Sequence, residues 1–177
     1  LSKEYPKIKN VDKNWRVHKN ENVDRYFLED SSLYKKNLKI FSMLVNSRKF
    51  LLFLETLTGV SSILPDPFFI GGGAMTTGKG GFLNIHADFN YHHKLQSWRK
   101  INALFYLTPN WKKNWGGNLE FWSKNKKKKI REIEPLFNRV VIFNTTSKSF
   151  HGQPKPINCP KNISRNVFSA FYYSNIK

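Results

Sequence analysis

From Leu33 onward, apolar residues recur at helical spacing. Leu38, Phe41, Leu44 and Val45 stand at intervals of 3, 3 and 1, which lays a stripe along one side of a helix. A second helix is predicted from Arg48 to about Leu57, with Gly59 as its stop signal. Residues 1–30 are polar with weak periodicity and read as irregular. Pro65 and Pro67 break the chain ahead of Phe68, Phe69 and Ile70. After Gly71, Gly72 and Gly73 the pattern turns to β. Six segments rich in β-branched and aromatic residues follow, at 82–86, 101–108, 118–122, 129–133, 139–143 and 166–173, with turn residues between them. Helices first and strands afterwards, without a linker or repeat, predict an α+β chain. Its N-terminal third is expected to pack as a helical support on an antiparallel β-sandwich or jelly roll.

Composition narrows this picture. The 177 residues are 40% hydrophobic and 15% aromatic, enough to bury a sizeable core. No apolar run reaches the roughly 18 residues that a membrane helix needs, so no membrane partner is expected. The first residues form no apolar signal core, and a single cysteine, Cys159, excludes an internal disulfide. Both features fit a reducing, cytoplasmic setting. The net charge of +18 raises nucleic acid as a partner. However, the cations are 23 Lys against 7 Arg, beside 19 Asn. Lys and Asn share A-rich codons, whereas phosphate and base recognition favours Arg forks. Coding bias therefore explains the charge better than nucleic-acid binding does. The basic run 124–129 reads as a solvated hairpin tip.

The chemistry centres on His86 and Asp88. Residues i and i+2 of a strand face the same way, so this pair can chelate one metal ion from a strand end. His151, in a polar turn beside Gly152, is the best third ligand. Two imidazoles and a carboxylate can hold one face of an octahedral iron(II) and leave the other face open, as oxygen activation requires. A rival cluster of His86, Asp88 and His92 or His93 would make a compact zinc site, but no second carboxylate or nucleophile lies nearby. His18 reads as an exposed histidine in a polar segment.

The surroundings of these residues carry a resemblance. Four elements occur in order: Gly81 to Asp88 (GFLNIHAD); Leu104 to Trp111 (LFYLTPNW) with Gly116 to Phe121 (GGNLEF); Ile133 to Phe143 (IEPLFNRVVIF); and His151 followed by Arg165. Over residues 80–173 the chain resembles the prolyl-4-hydroxylase-like branch of the iron(II)/2-oxoglutarate-dependent dioxygenases. The resemblance implies a double-stranded β-helix, the cupin-like jelly roll. It implies one dioxygenase domain over 1–177, with residues 1–70 as helical or irregular support and 71–177 as the β-helix core. His86, Asp88 and His151 would be the iron ligands. Arg165, at the start of the last strand, would grip the distal carboxylate of 2-oxoglutarate, joined by Tyr106. Thr76, Thr77 or Asn102 would supply a further co-substrate contact, since Thr76 stands where some relatives have a tyrosine. The implied reaction hydroxylates a C–H bond with Fe(II), O2 and 2-oxoglutarate, which leaves as succinate, and with ascorbate as an accessory. The implied substrate is a peptidyl proline or a related peptide or small molecule. A nucleic-acid-directed oxygenase and a non-catalytic β-sandwich with a vestigial metal site are the alternatives. The segments 74–80 and 90–98 are expected to form mobile loops over the site.

Overall fold

The computed structural model describes residues 1–7, 14–21 and 23–176. Two helices, α1 (Lys36–Val45) and α2 (Arg48–Thr58), lie where the apolar spacing predicts them. Ser47 caps α2 by accepting from the Phe50 amide, and Gly59 closes it in the left-handed conformation at φ 71°. Twelve strands are found among the described residues. They are β1 (Arg16–Asn20), β2 (Val23–Leu28), β3 (Leu64–Pro65), β4 (Gly73–Thr77), β5 (Leu83–His86) and β6 (Tyr91–His92). They continue with β7 (Ser97–Tyr106), β8 (Leu119–Trp122), β9 (Lys129–Ile133), β10 (Val140–Asn144), β11 (His151–Gln153) and β12 (Arg165–Ser174). No helix among the described residues is long and apolar enough to cross a membrane.

Every strand pairing is antiparallel, in the order β10-β7-β12-β4-β2-β5-β11-β8-β9. The path folds back on itself. A single register pair, Val23 with Leu83, joins the broad half (β10 to β2) to the narrow half (β5 to β9). The two halves then face one another across a shared core, the double-stranded β-helix arrangement.

Side-chain parity separates two cores. Phe168, Ala170 and Tyr172 of β12 and Ile101 and Ala103 of β7 pack with Leu38, Val45, Leu51 and Leu54 of the helices. Val167, Phe171 and Tyr173 of β12 and Leu104 and Tyr106 of β7 face inward toward Leu119 and Phe121 of β8. The central strands are thus covered on both faces, which explains why β12 reads as an almost continuous apolar run.

The N-terminal region departs from expectation. Residues 16–20 and 23–28 are not irregular: they form the paired strands β1 and β2, and β2 lies between β4 and β5 within the sheet, while residue 22 lies outside the described residues. Residues 8–13 of the predicted irregular segment lie outside the described residues. The hairpin was illegible because β1 is mostly exposed and β2 mixes charged with apolar residues, so neither shows a clean alternation. Segment 74–80 is likewise not a loop over the site. Its first four residues belong to β4, bonded to β12 on one side and β2 on the other.

Candidate metal and co-substrate site

His86 ends β5 and His151 begins β11. These two strands pair with His151 directly opposite His86, which is how residues far apart in sequence become neighbours. Their ring centroids lie 4.7 Å apart. Gly152 follows because β5 runs so close: a Cβ there would sit 2.7 Å from the Asn84 carbonyl oxygen. The side of Gly152 where a Cβ would stand is therefore filled by β5 backbone.

Asp88 completes the group. Its Oδ1 lies 3.5 Å from His86 Nε2 and its Oδ2 lies 3.5 Å from His151 Nε2. The three ligand atoms lie within 4.8 Å of one another. Each imidazole places Nδ1 2.9 Å from the carbonyl two residues earlier, Asn84 for His86 and Ser149 for His151. A donor at Nδ1 leaves the Nε2 lone pair free to bind a metal ion. Burial lowers the pKa of His151, against the pull of Asp88, so its ring is neutral at pH 7. Burial alone would raise the pKa of Asp88. Arg99, followed by His86 and His151, outweighs it and holds the carboxyl well below the usual range. Two imidazoles and one carboxylate, converging on a shared point, suit a divalent iron ion.

Two residues behind Asp88 fix its position. Asn102 donates from Nδ2 to Asp88 Oδ2 at 2.8 Å, and its Oδ1 accepts from Arg99 Nε at 2.8 Å. Arg99 also approaches Asp88 Oδ2 at 3.5 Å and stacks on Phe171, 3.4 Å from the ring centroid. Arg99 was not legible in the sequence. Three residues apart on a regular strand, it and Asn102 would face opposite ways, but β7 has a register shift that skips Lys100. Such bulges re-aim side chains.

Across the same cavity of about 260 Å³ lies Arg165. It is 4% exposed and approaches the Tyr106 hydroxyl at 3.4 Å and Gln153 Oε1 at 3.5 Å. Its Nε is buried with no hydrogen-bond partner, and it has no carboxylate neighbour within 4.0 Å among the described residues. A buried guanidinium left in this state calls for an anion. Gly117 makes room for it, because a Cβ there would sit 3.0 Å from Arg165 Cδ.

Arg165 and Tyr106 therefore converge, as strand parity suggests. One other co-substrate expectation needs correction. Thr76 faces away from the cavity: it pairs with Asn166 on the helix-side face of the sheet and donates to Asn166 Oδ1 at 2.7 Å. Its neighbour Met75 lines the cavity instead. Asn102 does line the cavity, but both ends of its amide are engaged with Asp88 and Arg99. It positions a candidate metal ligand. His92 is buried rather than sitting in a polar loop. Its Nε2 lies 3.5 Å from Asp66 and its Nδ1 accepts from the Leu95 amide. His18 and Arg25, neither anticipated, also line the cavity.

A family model described as the 2OG-Fe(II) oxygenase superfamily matches residues 72–173, more than half of the chain. The chain belongs to this superfamily. It is accordingly a dioxygenase enzyme that uses Fe(II), 2-oxoglutarate and O2. Solved structures share its fold. A Pseudomonas putida prolyl-4-hydroxylase aligns with TM-score 0.60 at 14% identity, over 90% of this chain and 77% of that one. A Trichoplax adhaerens prolyl hydroxylase, solved with a hypoxia inducible factor oxygen degradation domain peptide fragment, aligns with TM-score 0.57 at 20% identity, over 97% and 70%. The viral collagen prolyl hydroxylase of Paramecium Bursaria Chlorella virus-1, solved with 2OG, aligns with TM-score 0.53 at 12% identity, over 86% and 79%. No curated protein matches the sequence.

Proposed function

We propose that this oxygenase hydroxylates a C–H bond of a peptidyl proline or a related peptide or small-molecule substrate. His86, Asp88 and His151 hold the iron, and Arg165 with Tyr106 holds the distal carboxylate of 2-oxoglutarate. One observation carries the assignment of residues: the His–Asp–His group and an unpaired buried arginine line the same cavity. An α-keto acid with a second carboxylate can reach both. The likeness to three prolyl hydroxylases supports the substrate class.

The oxidising power comes from iron, O2 and the decarboxylation of 2-oxoglutarate to succinate. The chain's own residues do the positioning. Asn102 and Arg99 fix the Asp88 carboxylate, and the Asn84 and Ser149 carbonyls fix the two imidazoles. Arg165 sets the co-substrate's orientation, which decides where its keto-acid end meets the metal. Leu104, Val167 and Phe171 line the cavity with apolar surface and limit water around the reacting groups.

The reading is tested by incubating the iron-loaded enzyme with 2-oxoglutarate and a panel of proline-containing peptides, each paired with an alanine control. The expected result is succinate release stimulated by a proline peptide, with one oxygen atom gained in its mass. Succinate release that no proline peptide stimulates, but another compound class does, would overturn the substrate assignment.

A further inference from the structure

Arg25 is a second buried cation in the same cavity. It is 8% exposed, its Nε is buried without a hydrogen-bond partner, and no carboxylate lies within 4.0 Å of it among the described residues. Strand register explains its direction. Arg165 pairs with Thr77 across β12 and β4. The β2–β4 register, Tyr26 with Thr76 and Phe27 with Met75, carries on to place Arg25 beside Thr77 on the other side. Paired residues of neighbouring strands share a face. Arg165, Thr77 and Arg25 thus form one row facing the cavity. The two arginine backbones stand two strand spacings apart, roughly 10 Å. Thr77 between them is short and buried, packed against Gly81. Both arginines line the cavity.

Two guanidiniums buried in one cavity repel each other unless an anion lies between them. Burial, and next the charge of Arg165, bring the pKa of Arg25 down to about 9. The other buried arginine of the cavity, Arg99, already has Asp88. We propose that Arg25 is the second arm of the anion clamp and shares the distal carboxylate of 2-oxoglutarate with Arg165. The inference rests on the assignment of Arg165 given above. It adds a co-substrate-positioning residue from the N-terminal hairpin.

The test compares two keto acids of equal length, 2-oxoglutarate and 2-oxopentanoate, in which a methyl group replaces the distal carboxylate. Binding to the Mn(II)-loaded full chain is followed by tryptophan fluorescence. Wild-type protein should prefer 2-oxoglutarate strongly. Arg25→Met and Arg165→Met should each weaken 2-oxoglutarate by about 10- to 100-fold, as expected for a lost charged hydrogen bond, and leave 2-oxopentanoate almost unchanged. Arg25→Lys should recover part of the preference. A second readout is thermal: without ligand, Arg25→Met should melt at or above the wild-type Tm, because an uncompensated buried charge is removed. If Arg165→Met loses the preference and Arg25→Met keeps it, the inference fails while the Arg165 assignment stands. If neither variant loses it, both fail. Equal weakening of both keto acids in Arg25→Met would make Arg25 part of the framework and overturn its place in the clamp.

Discussion

Asp88 meets four polar groups, from His86, His151, Arg99 and Asn102. Two of these are candidate co-ligands and two hold the carboxylate in place. Outer partners of this kind commonly set metal affinity within a factor of ten to a hundred. Asn102→Ala should therefore weaken Fe(II) binding by about 10- to 100-fold, measured by competition with a chelating dye, while far-ultraviolet circular dichroism stays at the wild-type spectrum. Unchanged affinity would mean that Asp88 is held without it. At this scale the sequence was informative where chemistry is local. His86 ends β5 and Asp88 follows two residues later, so their approach to one point was readable from the spacing. Arg99 was hidden by the Lys100 bulge, and Thr76 was misassigned because its face depends on the register with β12. Arg25 lay in a segment whose strand character was itself invisible.

At the scale of elements, the helices were the most legible part. Their spacing and the Gly59 stop are local signals, and the structure follows them. The helices cover the face of the sheet opposite the cavity and hold β7 and β12 in place. Leu54 is fully buried between α2 and the sheet. Leu54→Ala should cost about 2–5 kcal/mol, read as a lower urea midpoint at unchanged slope. The cap contributes less: Ser47→Ala should cost about 1 kcal/mol. A Leu54→Ala loss well below 1 kcal/mol would show that the helices are not part of the cooperative unit. The six β segments anticipated downstream of the glycines also formed, with ends displaced by a few residues. Short strands such as β6 and β11 carry too few residues for a period to show. Their pairing comes from neighbours brought close by the fold.

At the scale of the whole molecule, residues on both sides of position 70 contribute to the sheet. β2 completes the sheet between β4 and β5, and Tyr5 reaches the Met75 and Val167 carbonyls from the N-terminal end. A chain lacking residues 1–30 should lose cooperative thermal unfolding, because β4 and β5 would each lose one of their two partner strands. A sharp transition near the full-length Tm would contradict this. The +18 charge also acts at this scale. Residues 124–130 lie exposed at the tip of the β8–β9 hairpin. Replacing Lys124, Lys126, Lys127 and Lys128 by Gln should leave succinate release unchanged, and a steep loss would reopen a role for these cations in substrate capture.

The central claim is that one cavity holds both the metal group and the co-substrate clamp. Anaerobic titration of the protein with Fe(II) and then 2-oxoglutarate, followed by the metal-to-ligand charge-transfer absorption, tests it most directly. The band should grow in at a stoichiometric amount of iron in the wild type. It should vanish in His86→Ala, Asp88→Ala and His151→Ala. In Arg165→Ala it should require far more 2-oxoglutarate while iron still binds. A full band in any of the three ligand variants, or an unchanged 2-oxoglutarate requirement in Arg165→Ala, would contradict it.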